Sequence, residues 1–169
     1  MSENLSTIEE AVDAIAQGKI AIVMDDEDRE NEGDFICAAE KVTPEIVNFM
    51  LVHGRGQVCM PILPEVCKRL DLPPMVENNT APLRTSFTVP VDHRTARTGI
   101  TAYEKATTIL AIVNPDSKPS DFVRPGHLAV DVPLGADVAW TAPTDPLVNS
   151  IRLQVVDAGS GATVCDELF

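Results

Sequence analysis

Positive charge is scarce in this chain of 169 residues: 13 lysines and arginines stand against 26 aspartates and glutamates, a net charge of −13. So acidic a surface repels other polyanions, which argues against nucleic acid or an anionic membrane as partner. A phosphorylated ligand would have to find its positive charge locally. Long apolar runs are missing too, so no stretch reaches membrane-spanning length. The opening residues, Met1 to Ser6, hold no basic segment leading into an apolar one, and no secretory leader is expected. The four cysteines (Cys37, Cys59, Cys67, Cys165) form no Cys-x-x-Cys pair. Reduced thiols in a cytoplasmic protein are therefore expected, rather than a disulfide or zinc framework. No Gly-rich turn of the dinucleotide-binding kind follows the first strand pattern. What is present is 44% apolar residues, enough to give a chain of this length one domain with a core.

The acid is concentrated. Asp25, Asp26, Glu27, Asp28, Glu30 and Glu32 crowd one short stretch, with Asp34 just beyond, between the apolar runs Ile20 to Met24 and Phe35 to Ala39. A solvated acidic turn is the ordinary reading of such a run. Arg29 in its midst argues for more, because its planar, permanently charged fork suits phosphate or carboxylate. Oxygen-only donors suit a hard cation, magnesium or manganese, better than zinc. A calcium loop of the EF-hand type is excluded, since Asn31 stands where that loop needs its turn glycine.

Around this stretch the pattern alternates between helix and strand. Ser6 or Thr7 caps a helix, with Glu9 or Glu10 closing a capping box; Ile8, Ala11, Val12 and Ile15 recur at helical spacing up to Gly18. A strand follows over Lys19–Met24 and another over about Asp34–Ala39, so the acidic loop stands on a rigid pair. Thr43-Pro44 opens a helix to about His53, with Ile46, Val47, Met50 and Leu51 inward. Gln57–Ile62 reads as a strand with Cys59 buried in it, Leu63–Leu70 as a short helix, and Thr85–Val91 as an edge strand ending near Pro90. Thr101 and Glu104 form a capping box for a helix over about Ala102–Val113. The N–H groups at that helix start, with Arg94, Arg97 and Thr98, make either a phosphate seat or an ordinary capped helix. Ser117–Pro125 reads as a loop.

The run from Asp25 to Asp34 resembles the signature of the 3,4-dihydroxy-2-butanone 4-phosphate synthase family. His53-Gly-Arg-Gly-Gln-Val-Cys59, Met75 to Thr80, Thr98 to Ala102 and Arg124-Pro-Gly-His127 resemble further segments of it, so the likeness covers about Ile8–Leu128. It implies one α+β domain with a mixed β-sheet packed by helices, in a homodimer with sites at the interface. It implies conversion of D-ribulose 5-phosphate to formate and L-3,4-dihydroxy-2-butanone 4-phosphate, in riboflavin biosynthesis, with Mg2+ (or Mn2+). Carried over residue by residue, Glu30 is the metal ligand and also touches substrate, with Arg29 and Asp34 as further substrate contacts. Glu32 is an accessory carboxylate, Cys59 lines the site, Thr98 lies near the phosphate and His127 carries protons.

Residues 129–169 do not continue the likeness. No histidine follows His127, and Pro143 stands about where the family has its second metal ligand. Val164-Cys165-Asp166-Glu167 loosely echoes a later family strand, which makes Glu167 a weaker substrate-contact candidate. Divergence of the tail and a reading-frame change both fit this pattern. The alternative to an active enzyme is a catalytically impaired or non-catalytic relative that keeps the fold and binds a sugar phosphate or a partner.

Overall fold

The computed structural model describes residues 6–24 and 32–132, with the backbone of 152–156 and 163–167. In chain order its elements are α1 (Ile8–Ala16), β1 (Ile20–Met24), β2 (Gly33–Ile36), α2 (Pro44–Phe49), β3 (Cys59–Pro61), α3 (Pro64–Arg69), β4 (Val91–His93), α4 (Ala102–Val113), β5 (Phe122–Asp131), β6 (Arg152–Val156) and β7 (Thr163–Glu167). Helices lie beside one antiparallel and one mixed sheet, the α+β class that the family resemblance implies. The chain divides into two compact units, Met1–Val42 with Ala139–Phe169, and Thr43–Val138.

In the first unit the strands run in the order β2-β1-β6-β7, all antiparallel. Ile20 and Ala21 of β1 are fully buried, as β-branched and small residues in a central strand should be. α1 turns Ala11 and Ala14 inward. Its start is the capping box read from the sequence: Thr7 Oγ1 accepts from the Glu10 N–H at 3.1 Å, and the Thr7 N–H donates back to Glu10 Oε2 at 2.9 Å. Val12, which shares the helical spacing, points outward at 55% exposure, so the buried stripe is narrower than the apolar one. β1 and β2 pair with Met24 opposite Gly33. The two ends of the acidic run are thus fixed side by side.

In the second unit β5 is central, parallel to β3 on one side and antiparallel to β4 on the other. Leu128, Ala129 and Val130 of β5 are buried, and Ala106, Ile109 and Ile112 of α4 are buried with them. α2 begins at Pro44 behind its Thr43 cap, and a π-helical turn, Met50–Gly54, carries it on. Ile46 and Val47 are buried; Met50 and Leu51 are half-buried. One arginine joins two helices: the Arg69 guanidinium at the end of α3 donates to the carbonyls of Ile112, Asn114, Pro115 and Ser117 at the end of α4. The Ile112 carbonyl is among those that the helix C-terminus leaves without intrahelical partners, and the other three belong to the cap and the turn that follows it.

Three expectations change. The strand expected over Thr85–Val91 is an extended segment with isolated bridges (Phe87 to Asp131, Thr88 to Pro74), and the regular strand β4 begins only at Val91. Pro90 interrupts the ladder because it has no N–H to give. The loop expected up to Pro125 ends earlier, at Phe122, where β5 begins. Cys59 is in a strand, as expected, but exposed rather than buried, because side chains alternate along β3 and it is Met60 that takes the core face.

Candidate active site

The site is built on a fault in the β4–β5 ladder. Val91 pairs with Leu128, yet its neighbour Asp92 pairs with Val123. Arg124, Pro125, Gly126 and His127 lie between those two partners and leave the ladder as a bulge. Bulges bend a strand and re-aim its side chains. Here the bulge is also the segment Arg-Pro-Gly-His singled out in the sequence.

A backbone that leaves a ladder needs other partners for its N–H and C=O groups. The His127 N–H donates to Asp92 Oδ1 at 2.9 Å, and His127 Nδ1 lies 2.7 Å from Asp92 Oδ2. The Asp92 side chain is only 8% exposed while that of His127 is 51% exposed. A carboxylate can only accept, so Nδ1 carries the hydrogen, and in the neutral ring the lone pair is on Nε2. Lys105, buried on α4, donates from Nζ to the His127 carbonyl at 3.0 Å. Burial lowers the Lys105 pKa, and the nearby charge of Asp92 acts the other way.

Two glycines make room for this pair. Gly99 has φ +71, and a Cβ there would overlap the Asp92 carboxylate. A Cβ at Gly126 would overlap the backbone of Val91 and Asp92. Both are close approaches that only glycine allows.

The turn that holds Gly99 is gathered by Glu104. Its carboxylate accepts from the N–H of Arg97 at 2.6 Å, from the N–H and hydroxyl of Thr98 at 3.2 and 2.8 Å, and from the N–H and hydroxyl of Thr101 at 3.4 and 3.1 Å. The Arg97 N–H and then the Thr98 hydroxyl are the main reasons its pKa falls to about 2. The phosphate seat expected at this helix start is therefore already filled by a carboxylate of the chain itself. Thr98 remains there, with its hydroxyl committed to Glu104. Thr108 then ties α4 to β4, accepting from the His93 N–H at 3.0 Å and donating to the Glu104 carbonyl at 2.8 Å.

The remaining candidates fall as follows. Cys59 on β3 stands opposite Ala129, two residues along β5 from His127. Cys59, Thr98 and His127 thus share the second unit. Glu32 and Asp34 belong to the first, Asp34 exposed on β2 opposite Val23 and Glu32 exposed just before the strand. Glu167 ends β7, opposite Leu153. Arg29 and Glu30 lie outside the described residues, as does Pro143. Among the described residues no three His, Cys, Asp or Glu side chains come together as a metal-holding group, and no helix is long and apolar enough to cross a membrane.

Sequence reasoning missed Asp92 and Lys105 altogether, and saw in Glu104 only a cap. A signal for Asp92 exists: it is a lone carboxylate between the apolar Val89-Pro90-Val91 and His93, where a buried acid demands a partner.

The chain is similar to several known proteins. The riboflavin biosynthesis protein RibBA of Bacillus subtilis (strain 168) is 56% identical over 121 residues, 72% of this chain and 30% of that protein. The protein of the same name from Bacillus mycoides (strain KBAB4) is 59% identical over the same span. The chain therefore spans about a third of the length of these relatives. Among solved structures, a 3,4-dihydroxy-2-butanone 4-phosphate synthase in complex with two magnesium ions superposes with a TM-score of 0.74 at 40% identity, over 77% of this chain and 61% of that one. A two-domain synthase, RibBX of A. baumannii, superposes with a TM-score of 0.71 at 46% identity, over 75% of this chain and 38% of that one. The family model for 3,4-dihydroxy-2-butanone 4-phosphate synthase matches residues 9–137, which takes in both the acidic run and the His127 bulge, and the chain belongs to that family.

Proposed function

We propose that this chain converts D-ribulose 5-phosphate to formate and L-3,4-dihydroxy-2-butanone 4-phosphate, as one synthase-like domain, in the cytoplasm and as a homodimer. The observation that carries the reading is the Asp92–His127 pair. An imidazole whose Nδ1 is held by a buried carboxylate, and whose ring is half exposed, is set to take and return a proton at Nε2. The reaction begins with loss of a proton beside the ketone, continues through dehydration and skeletal rearrangement, and ends with loss of one carbon. Each stage needs a proton moved at a defined place. His127 does this from the bulge, while Cys59 lines the site from β3.

Substrate is held by Arg29, Glu30 and Asp34, with Glu32 beside them and Glu167 as a further contact. Thr98 serves the phosphate, and to do so its hydroxyl must leave Glu104. The carboxylates of the acidic run fit a hard divalent cation, Mg2+ or Mn2+, with Glu30 as its ligand. When bound, the cation supplies stabilisation for the negative charge that develops on vicinal substrate oxygens.

Formate release from ribulose 5-phosphate with magnesium, with and without His127→Gln, tests the reading. The unmodified chain should release formate, and the variant should lose on the order of a hundredfold or more in kcat. A variant as fast as the unmodified chain removes His127 from the chemistry.

A further inference from the structure

We propose that Lys105 is a positioning residue for His127: it stands in for the strand partner that the His127 carbonyl has lost, and its charge sets how tightly Asp92 holds the ring proton. The proposal rests on the reading of His127 as the proton carrier.

The argument starts from the ladder fault. Outside the ladder, the His127 N–H is served by Asp92 and its C=O by Lys105. One carboxylate and one ammonium, from β4 and α4, together replace a strand. The position of Lys105 is otherwise unfavourable for a cation. It lies on the buried face of α4 with Ala106, Thr108, Ile109 and Ile112, where an apolar side chain is the ordinary occupant. A buried ammonium is tolerated only with an anion and a hydrogen-bond acceptor at hand. Asp92 supplies the first and the His127 carbonyl the second.

The same carboxylate faces the imidazole. A buried aspartate serving a histidine alone would hold the imidazolium strongly and make it slow to give up its proton. The charges of Lys105 and Asp92 act on each other, and a cation near that aspartate weakens its hold on the ring. Of the other ionisable groups on these elements, Asp131 ends β5 beyond Val130, and burial raises its pKa. Glu104 serves the turn from Arg97 to Thr101, His93 Nδ1 pairs with the Thr95 hydroxyl at 2.8 Å, and the Arg124 guanidinium reaches the Leu70 carbonyl at 2.6 Å. Cys59 stands on β3 opposite Ala129.

The test is an NMR titration of the ring resonances in the full chain, which has only three histidines to assign: His53, His93 and His127. Lys105→Met removes charge and donor. It should raise the midpoint of His127 protonation by about one pH unit. Lys105→Arg should keep the midpoint where it was. Asp92→Asn should move it down, and the opposite signs mark a carboxylate shared between cation and imidazole. An unmoved midpoint in Lys105→Met overturns the proposal. Should that variant fail to fold, Lys105→Gln, which keeps a donor without the charge, carries the same test, and an unmoved midpoint there overturns it equally. The pH profile of kcat on ribulose 5-phosphate separates this proposal from the one beneath it. If the ring midpoint moves while the acid limb of kcat stays in place, Lys105 has its role and His127 is not the proton carrier.

Discussion

Two helices of this chain open with the same signature, Thr-x-x-Glu, and use it differently. At α1, Thr7 and Glu10 exchange hydrogen bonds and close the first turn. At α4, Thr101 and Glu104 do the same, and the Glu104 carboxylate also draws in Arg97 and Thr98 from the preceding turn. That turn carries Gly99 against Asp92, and Asp92 holds His127. The capping motif reports where a helix begins. What the glutamate does beyond that depends on the chain folded back in front of it.

The comparison is broken most severely at Gly99. Gly99→Ala sets a side chain at φ +71 and into the Asp92 carboxylate. It should cost about 2–4 kcal/mol of stability and detach His127 from Asp92. Denaturant unfolding measures the first and the His127 ring resonance the second; a variant of unchanged midpoint would mean that the turn gives way freely.

Glu104→Gln sharpens the contrast through pH. The folded pKa of Glu104, about 2, lies below its ordinary value of 4.5. Its stabilising contribution is therefore complete above about pH 4.5 and fades as pH falls toward 2. The variant lacks that contribution, so its Tm should fall short of the unmodified chain's near neutrality and approach it in acid. Parallel Tm-against-pH curves would show that the carboxylate charge is not what holds the turn.

The smallest effects come from the caps. Thr7→Ala and Thr101→Ala should each cost about 1 kcal/mol. Only the second should also raise KM for the sugar phosphate several-fold, since only Thr101 shares its glutamate with Thr98. Equal KM values would place the Arg97–Thr101 turn outside the substrate site.

Local chemistry was legible in the sequence. α4 begins and ends where its capping box and apolar spacing put it, and the strands flanking the acidic run pair as a base for it. What was not legible depends on contact between distant residues. Asp92 and His127 are separated by 35 positions, and nothing around either specifies the other. Arg124 and Pro125, the first half of the bulge, fall in the loop read from the sequence, because proline interrupts a strand pattern whether or not the strand resumes beyond it. Cys59 reads as buried in its strand, but which of two adjacent residues faces the core depends on what the strand packs against, and in β3 that residue is Met60. At the start of α4 the sequence left a phosphate seat and an ordinary cap open, and the reach of Glu104 back to Arg97 and Thr98 was not legible in it.

The Arg69 clamp bears on how the second unit comes apart. Its acceptors lie 43 to 48 residues along the chain, so an α4 excised from the protein would fray at its last turn. Within the fold, α3 cannot swing away without stranding the carbonyls at the end of α4, and that end cannot unwind without stranding a guanidinium. The two helices are therefore expected to open together, and amide exchange would show them as one cooperative unit. The turn at Arg97 to Thr101 and the bulge at His127 then sit against a helix tied down at its far end, which leaves local motion to the chain in front of α4.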